Sequence, residues 1–213
     1  MYKKETAIEI VKILKEYYPD AKCSLDFTTP FELVVATILS AQCTDERVNK
    51  TTPSSVHNKY STPEDFANID INELETLIHP CGFYRNKAKN IKACAQKILS
   101  DFNGEVPKSA KELETLPGIG RKTANVVMLE AFNIAQGIAV DTHAKRISNL
   151  IGLSKEVDPL KIEKDLLKIF PTEYLKDINH LLVWHGRNIC IARKPKCDIC
   201  PINKYCNNFS KPQ

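Results

Sequence analysis

The chain has 213 residues, enough for one large domain or two small ones, and its 43% hydrophobic and 26% charged residues exclude a disordered class. Lys and Arg number 30 against 26 Asp and Glu, a net charge of +4 that permits a nucleic-acid partner without demanding one. No apolar run is long enough to span a membrane, and Met1-Tyr2-Lys3-Lys4-Glu5 leads straight into a patterned helix with no apolar signal core, so a cytoplasmic address is expected.

Residues 6–18 place Ala7, Ile10, Val11, Leu14, Tyr17 and Tyr18 on one helical face, which Pro19 ends. Thr29-Pro30-Phe31-Glu32 reads as a capping box that opens an apolar run through Leu39. Asp70-Ile71-Asn72-Glu73 and Ser109-Ala110-Lys111-Glu112 carry the same start signal, and Thr62-Pro63 and Asp158-Pro159 mark further starts. Ala88, Ile91, Ala95, Ile98 and Phe102 step by three or four residues. Two-residue alternation is nearly absent, and seven glycines are too few for a hairpin fold. The expectation is an all-α protein of about ten short helices.

Four segments carry chemistry. From Phe83 to Lys97 the chain holds Arg85, Lys87, Lys89, Lys92 and Lys97 without an acid. Such a run is ordinarily a solvated helix face, but the neighbouring Gly82-Phe83-Tyr84 offers aromatics that could wedge into a base stack. Next, Leu116-Pro117-Gly118-Ile119-Gly120-Arg121-Lys122-Thr123 predicts that a helix over 109–116 ends in a Pro-Gly-x-Gly turn, with a new helix from about Gly120. The plain reading is a tight helix–helix connection. Arg121 and Lys122 tilt it toward a phosphate site, because cations at a helix start oppose the macrodipole unless a polyanion accompanies them. Third, Asp141 in Val140-Asp141-Thr142-His143 follows an apolar stretch and precedes a helical run, as an N-cap does, which leaves its carboxylate rigidly aimed. Last, Cys190-x6-Cys197-x2-Cys200-x5-Cys206 packs four thiols into 17 residues, a metal site by density, although spacing alone leaves zinc and a cubane iron–sulfur cluster both open. Arg193, Lys194 and Lys196 stud this loop and suit a phosphate backbone. The scattered Cys23, Cys43, Cys81 and Cys94 are expected as small buried apolar residues, and the tail after Cys206 as loose.

These segments, in this order, resemble the endonuclease III family of helix-hairpin-helix DNA glycosylases. The resemblance also covers Leu39-Ser40-Ala41-Gln42-x-Thr44-Asp45, Asn103-Gly104-Glu105-Val106-Pro107 and His185-Gly186-Arg187. It implies two helical domains flanking a DNA-binding cleft: a six-helix barrel with the hairpin over about 22–135, and a cluster domain of 1–21 with 136–213. It further implies a 4Fe-4S cluster on the four cysteines, with Lys122 and Asp141 catalytic. Gln42 sits where the family fills the gap left by a flipped base, and Phe83 where relatives often carry a leucine wedge. Residues Leu116 to Arg121, with Arg193, Lys194 and Lys196, would hold phosphates.

The implied reaction is removal of an oxidised pyrimidine, such as thymine glycol, from duplex DNA, followed by strand cleavage at the abasic site. A monomer near the nucleoid is implied as well. The attacking amine must be neutral, as only about one ordinary lysine in a thousand is near pH 7.4; Arg121, the helix start and desolvation would favour that form. Two alternatives are an adenine-mismatch glycosylase of the same superfamily, whose members usually lack the catalytic lysine, and a non-catalytic iron–sulfur DNA-binding module.

Overall fold

The computed structural model describes residues 4–52, 56 and 59–209, so Met1–Lys3 and the last four residues of the tail lie outside the described residues. Among the described residues there are eleven α-helices, three short 3-10 turns and no strand. The chain divides into two compact units, one of Ser24–Ile134 and one of Met1–Cys23 with Ala135–Gln213.

Helix α1 (Lys4–Tyr17) belongs to the discontinuous unit, and the next seven helices build the continuous one. In the continuous unit α2 (Pro30–Leu39) is buried from Phe31 to Leu39, as a helix apolar on every face must be. Its start is the expected capping box: Thr29 Oγ1 accepts from the Glu32 N–H at 3.1 Å, and Glu32 Oε2 accepts from the Thr29 N–H at 3.3 Å. The same buried carboxylate takes the Thr28 N–H and hydroxyl, each at 2.6 Å, which is what allows it to leave water.

Helices α3 (Asp45–Thr51), α4 (Pro63–Asn68) and α5 (Ile71–Ile78) follow, each opened by a side-chain cap from Thr44, Thr62 or Asp70. At α4 the cap is a full box closed by Asp65 in place of the usual Glu or Gln. At α5 only half of the expected signal forms. Asp70 caps, while Glu73 bonds to Lys59 Nζ at 2.5 Å and Tyr60 Oη at 2.7 Å. The long α6 (Tyr84–Phe102) packs on α4 and α5, and α2 packs on both α6 and α8 (Arg121–Phe132).

The expected helix over 109–116 is much shorter. α7 covers Ala110–Leu113 alone, and Ser109 makes no side-chain cap bond. Turn bonds from the Thr115 and Leu116 N–H groups to the Glu112 and Leu113 carbonyls carry the chain on, because the Pro117-Gly118 corner comes too soon for more helix.

In the discontinuous unit α9 (Thr142–Ile151), α10 (Pro159–Ile169) and α11 (Thr172–Asn188) join α1 around one core that includes Ile10, Leu14, Ile147, Leu166, Ile178 and Leu182. α11 is the centre of this unit, packing against α1 and α9. Gly186 permits the second contact, since a Cβ there would lie 2.9 Å from His143 Cβ and 3.0 Å from Ile147 Cδ1. His143 Cβ is at the root of its side chain and cannot swing aside, although Ile147 Cδ1 is a chain end. Gly186→Ala is therefore expected to destabilise the fold by about 1–3 kcal/mol in chemical denaturation, through overpacking. An unchanged midpoint would mean that α9 and α11 can separate freely.

Candidate functional site

In the Ser24–Ile134 unit, Leu116 and Ile119 are buried, and the Ile119 N–H is spent on the Leu116 carbonyl at 3.1 Å. These two residues therefore anchor the hairpin. Its outward edge is made by half-buried Pro117 and exposed Gly118 and Gly120. The glycines differ in kind. Gly118 has φ +83°, and a Cβ there would meet Asn90 Cβ at 3.1 Å, so the fold itself requires glycine. Gly120, the N-cap of α8, has φ −101° and open space around it. Among the described residues no side chain caps α8, and the Gly118 and Gly120 N–H groups enter no hydrogen bond. A positive helix end flanked by outward N–H groups is a place for an anion.

Arg121 and Lys122 occupy the exposed first turn of α8. Arg121 lies 3.7 Å from Glu114, a solvent-exposed pair contributing about 1 kcal/mol or less. Lys122 reaches into solvent, so the desolvation anticipated from the sequence is not supplied by packing.

Gln42 and Phe83 share an uncommon property. Gln42 follows α2 with φ +54°, and Phe83 is the N-cap of α6 with φ +46°. Asn103 and Asn133, the other non-glycine residues with positive φ among those described, are helix C-caps, where Asn is at ease. A glutamine or phenylalanine held left-handed costs on the order of 1–3 kcal/mol, and such strain gathers at ligand-clamping positions. Both side chains are exposed, Phe83 by 67%.

The basic stretch that follows is not a uniform solvated face. Lys92 donates to the Ile69 carbonyl, Lys97 pairs with Asp101, and Lys87 is only 4% exposed. Burial lowers the Lys87 pKa. Of the scattered cysteines, Cys81 and Cys94 are buried as expected, and burial pushes the Cys94 thiol up to about 12. Cys23 and Cys43 are only half-buried, since both sit in connecting segments outside any helix.

In the other unit Asp141 is the N-cap of α9, and its Oδ1 accepts from the Ala144 N–H at 2.7 Å. The carboxylate is half-buried, and its cap bond engages Oδ1 alone.

The four C-terminal cysteines line one cavity, closed by Ile151, Ile189, Ile202 and Phe209. Phe209, in the tail expected to be loose, is tied by its N–H to the Cys206 carbonyl at 3.1 Å. Burial raises the pKa of Cys190 and pushes Cys200 up to about 11, and in both cases neighbouring thiols add to the rise. Four thiolates this close therefore need a cationic centre between them, which a cluster provides. Among the described residues no three His, Cys, Asp or Glu converge on a single-ion position. Thiols ringing an apolar cavity are a donor set for an iron–sulfur cluster, as they are for a thiolate-bound metal ion.

Their surroundings were missed by sequence reasoning. His185 Nε2 lies 3.6 Å from Cys200 Sγ, and its Nδ1 lies 3.0 Å from Tyr18 Oη. Burial, followed by the Arg146 charge, lowers the His185 pKa to about 4, so the ring is neutral. A thiolate at Cys200 can only accept, which puts the proton on Nε2 and makes Tyr18 the donor to Nδ1. Arg146 donates to the Cys190 carbonyl at 2.5 Å and the Gly186 carbonyl at 3.2 Å, and its charge favours the Cys190 thiolate. The available signal was register: His185 continues the α11 stripe of Ile178 and Leu182. On the outer side of the loop Arg193, Lys194 and Lys196 are exposed.

Residues 35–172 match the model of the HhH-GPD superfamily of base excision DNA repair proteins, and 190–206 match the iron–sulfur binding domain of endonuclease III. Endonuclease III of Synechocystis is 52% identical over 204 residues, covering 96% of this chain and 93% of that one. The chain belongs to the endonuclease III family. Its cofactor is accordingly a 4Fe-4S cluster. A solved non-covalent endonuclease III–DNA complex shares the fold with a TM-score of 0.92 and 41% identity, covering 98% of this chain and 97% of that one. A trapped covalent endonuclease III–DNA intermediate gives the same TM-score and identity, at 98% coverage of each. For this family member, Arg146→Met is expected to speed iron loss to a chelator by about tenfold or more, the usual effect of losing an outer-sphere partner. Iron and sulfide content after timed dialysis reads it, and retention at the native level would limit Arg146 to packing.

Proposed function

We propose that this chain is a base excision glycosylase and abasic-site lyase acting on oxidised pyrimidines in duplex DNA, in a cytoplasmic, nucleoid-associated setting and as a monomer. The observation that carries the reading is the α8 start. One uncapped helix end, bordered by two outward N–H groups, carries a solvent-exposed Lys122 one residue beyond Arg121.

The hairpin and the cations of the cysteine loop, Arg193, Lys194 and Lys196, grip phosphates and so fix register. A damaged nucleotide leaves the stack, with Gln42 and Phe83 taking the space at the opened step. As the sugar–base bond breaks, positive charge grows on the sugar, and the Asp141 carboxylate stabilises it. Lys122 Nζ, desolvated once DNA covers it, gives up its proton and bonds to C1′ while the base departs with the bonding pair. Water is not the nucleophile. The departing base takes up a proton from the amine, and the nitrogen lone pair then breaks the C1′–O4′ bond, opening the sugar ring with a proton from solvent on O4′ and leaving an iminium between Nζ and C1′. That iminium acidifies the proton on C2′, and its removal expels the 3′ phosphate by β-elimination. Cys190, Cys197, Cys200 and Cys206 hold the cluster, which stiffens the basic loop; four thiolates leave it no open position for substrate.

Borohydride reduction tests the central step. The wild-type chain is expected to form a covalent adduct with duplexes carrying thymine glycol or an abasic site. Lys122→Gln should lose both adducts while still binding the abasic duplex. An adduct that survives in Lys122→Gln would overturn the assignment of the nucleophile. Asp141→Asn, which can still cap α9, should slow base release by about a hundredfold or more.

The two hairpin glycines make a separate comparison. Gly120→Ala is expected to change stability by about 1 kcal/mol or less yet weaken duplex binding about tenfold, because only a bound phosphate approaches that face. Gly118→Ala should instead lower the melting temperature, since φ +83° and Asn90 both oppose a side chain. Equal losses of binding and stability in both variants would remove the phosphate role of Gly120.

A further inference from the structure

The two strained, exposed residues Gln42 and Phe83 lie 41 positions apart in sequence, yet one buried cation is bonded to both of the segments that carry them. Lys87 Nζ donates to the Leu39 carbonyl at 2.8 Å and to the Cys81 carbonyl at 2.8 Å. Leu39 ends α2, three residues before Gln42. Cys81 ends the 3-10 turn His79–Cys81, two residues before Phe83.

Both carbonyls belong to helix ends, where the partial charge is negative and backbone bonds run out. After α2 the turn N–H groups of Ser40, Ala41 and Cys43 go to the Ala36, Ile38 and Ser40 carbonyls, passing over Leu39. After the 3-10 turn the Gly82 N–H goes back to His79, passing over Cys81. The ammonium fills both gaps. Among the described residues no carboxylate lies beside it; its electrostatic neighbours are the Cys43 and Cys81 thiols. Its own backbone N–H is bonded to the Phe83 carbonyl at 3.1 Å, so its fork is rooted in the turn that it holds.

A lysine whose only task was packing would be replaced without loss by an apolar chain of equal length. This one instead carries a charge, in the buried register of Ile91, Cys94 and Ile98 on α6, into contact with two functional loops. We propose that Lys87 is a positioning residue for damage recognition: its ammonium cross-links the Leu39 and Cys81 carbonyls and so keeps Gln42 and Phe83 in the paired geometry that opens and fills one step of duplex DNA. The inference rests on the roles given above to Gln42 and Phe83. It requires no contact between Lys87 and DNA.

The test compares Lys87→Met, which keeps the length of the side chain and loses both donors, with Lys87→Gln, which keeps a neutral amide and serves if the first variant does not fold. Gln42→Ala and Phe83→Ala run beside them. Two substrates separate recognition from chemistry: a thymine glycol duplex, and a single-stranded abasic oligonucleotide that has no opposite strand to part. A third probe is a duplex with 2-aminopurine opposite a tetrahydrofuran abasic analogue, whose fluorescence reports unstacking at saturating protein.

Lys87→Met is expected to lower kcat/KM on the duplex about ten- to a hundredfold, as misplacement by about 1 Å does. Borohydride trapping on the single strand should stay within about twofold of wild type, and the 2-aminopurine signal should shrink as it does in Gln42→Ala and Phe83→Ala. Equal losses on both substrates would reduce Lys87 to a structural residue and overturn the proposal. So would an undiminished duplex rate and fluorescence signal in Lys87→Met while the two loop variants fail. If Gln42→Ala and Phe83→Ala themselves keep full duplex activity, the roles of those loops fall, and the proposal falls with them.

Discussion

A helix leaves N–H groups at its start and carbonyls at its end that it cannot satisfy itself, and a fold made of short helices has many such ends. In this chain the ends hold the residues to which the chemistry is assigned in the proposed function. Asp141 is an N-cap, Lys122 stands in an uncapped first turn, Gln42 trails one helix C-terminus, and Phe83 precedes another helix. The cluster loop begins where α11 stops, with the Cys190 N–H still bonded to the His185 carbonyl. Each position combines a backbone fixed by packing with a side chain free to face outward, which is the combination that a preorganised site needs.

The cations divide into two populations that composition cannot tell apart. Arg193, Lys194 and Lys196 are exposed. Lys87, Lys92 and Arg146 instead spend their charge on backbone carbonyls inside their own unit. A net charge of +4 therefore understates how unevenly positive charge is spread, since part of it is already committed to holding loops together.

Much of this was readable beforehand, and for local reasons. Thr29 with Glu32, Asp141 and Asp158 announce helix starts because capping is decided within four residues. The four cysteines announce a metal site because their spacing is confined to one loop, although that spacing alone does not separate zinc from a cluster. Reading failed where the deciding partner lies far along the chain. Lys87 looked like one member of a charged run because nothing nearby reveals that its amine reaches a carbonyl 48 residues earlier. Arg146 was silent for the same reason, and His185 showed only its motif and its register, not its Tyr18 and Cys200 partners. The expected helix at 109–116 failed differently: it begins at Ala110 without the Ser109 cap bond, and the Pro117-Gly118 corner that defines the hairpin cut it to one turn.

The division of the chain also sets an order of events during synthesis. Ser24–Ile134 is continuous, so that unit can fold as soon as it has left the ribosome. α1 is made first but packs against α11, which is made near the end. Its apolar face, with Ile10 and Leu14, must wait through more than a hundred residues of translation before it is covered. Iron and sulfide can be gathered by all four cysteines only after Cys206 has appeared. Maturation of the cluster is thus a late step on a chain whose hairpin-bearing half is already formed.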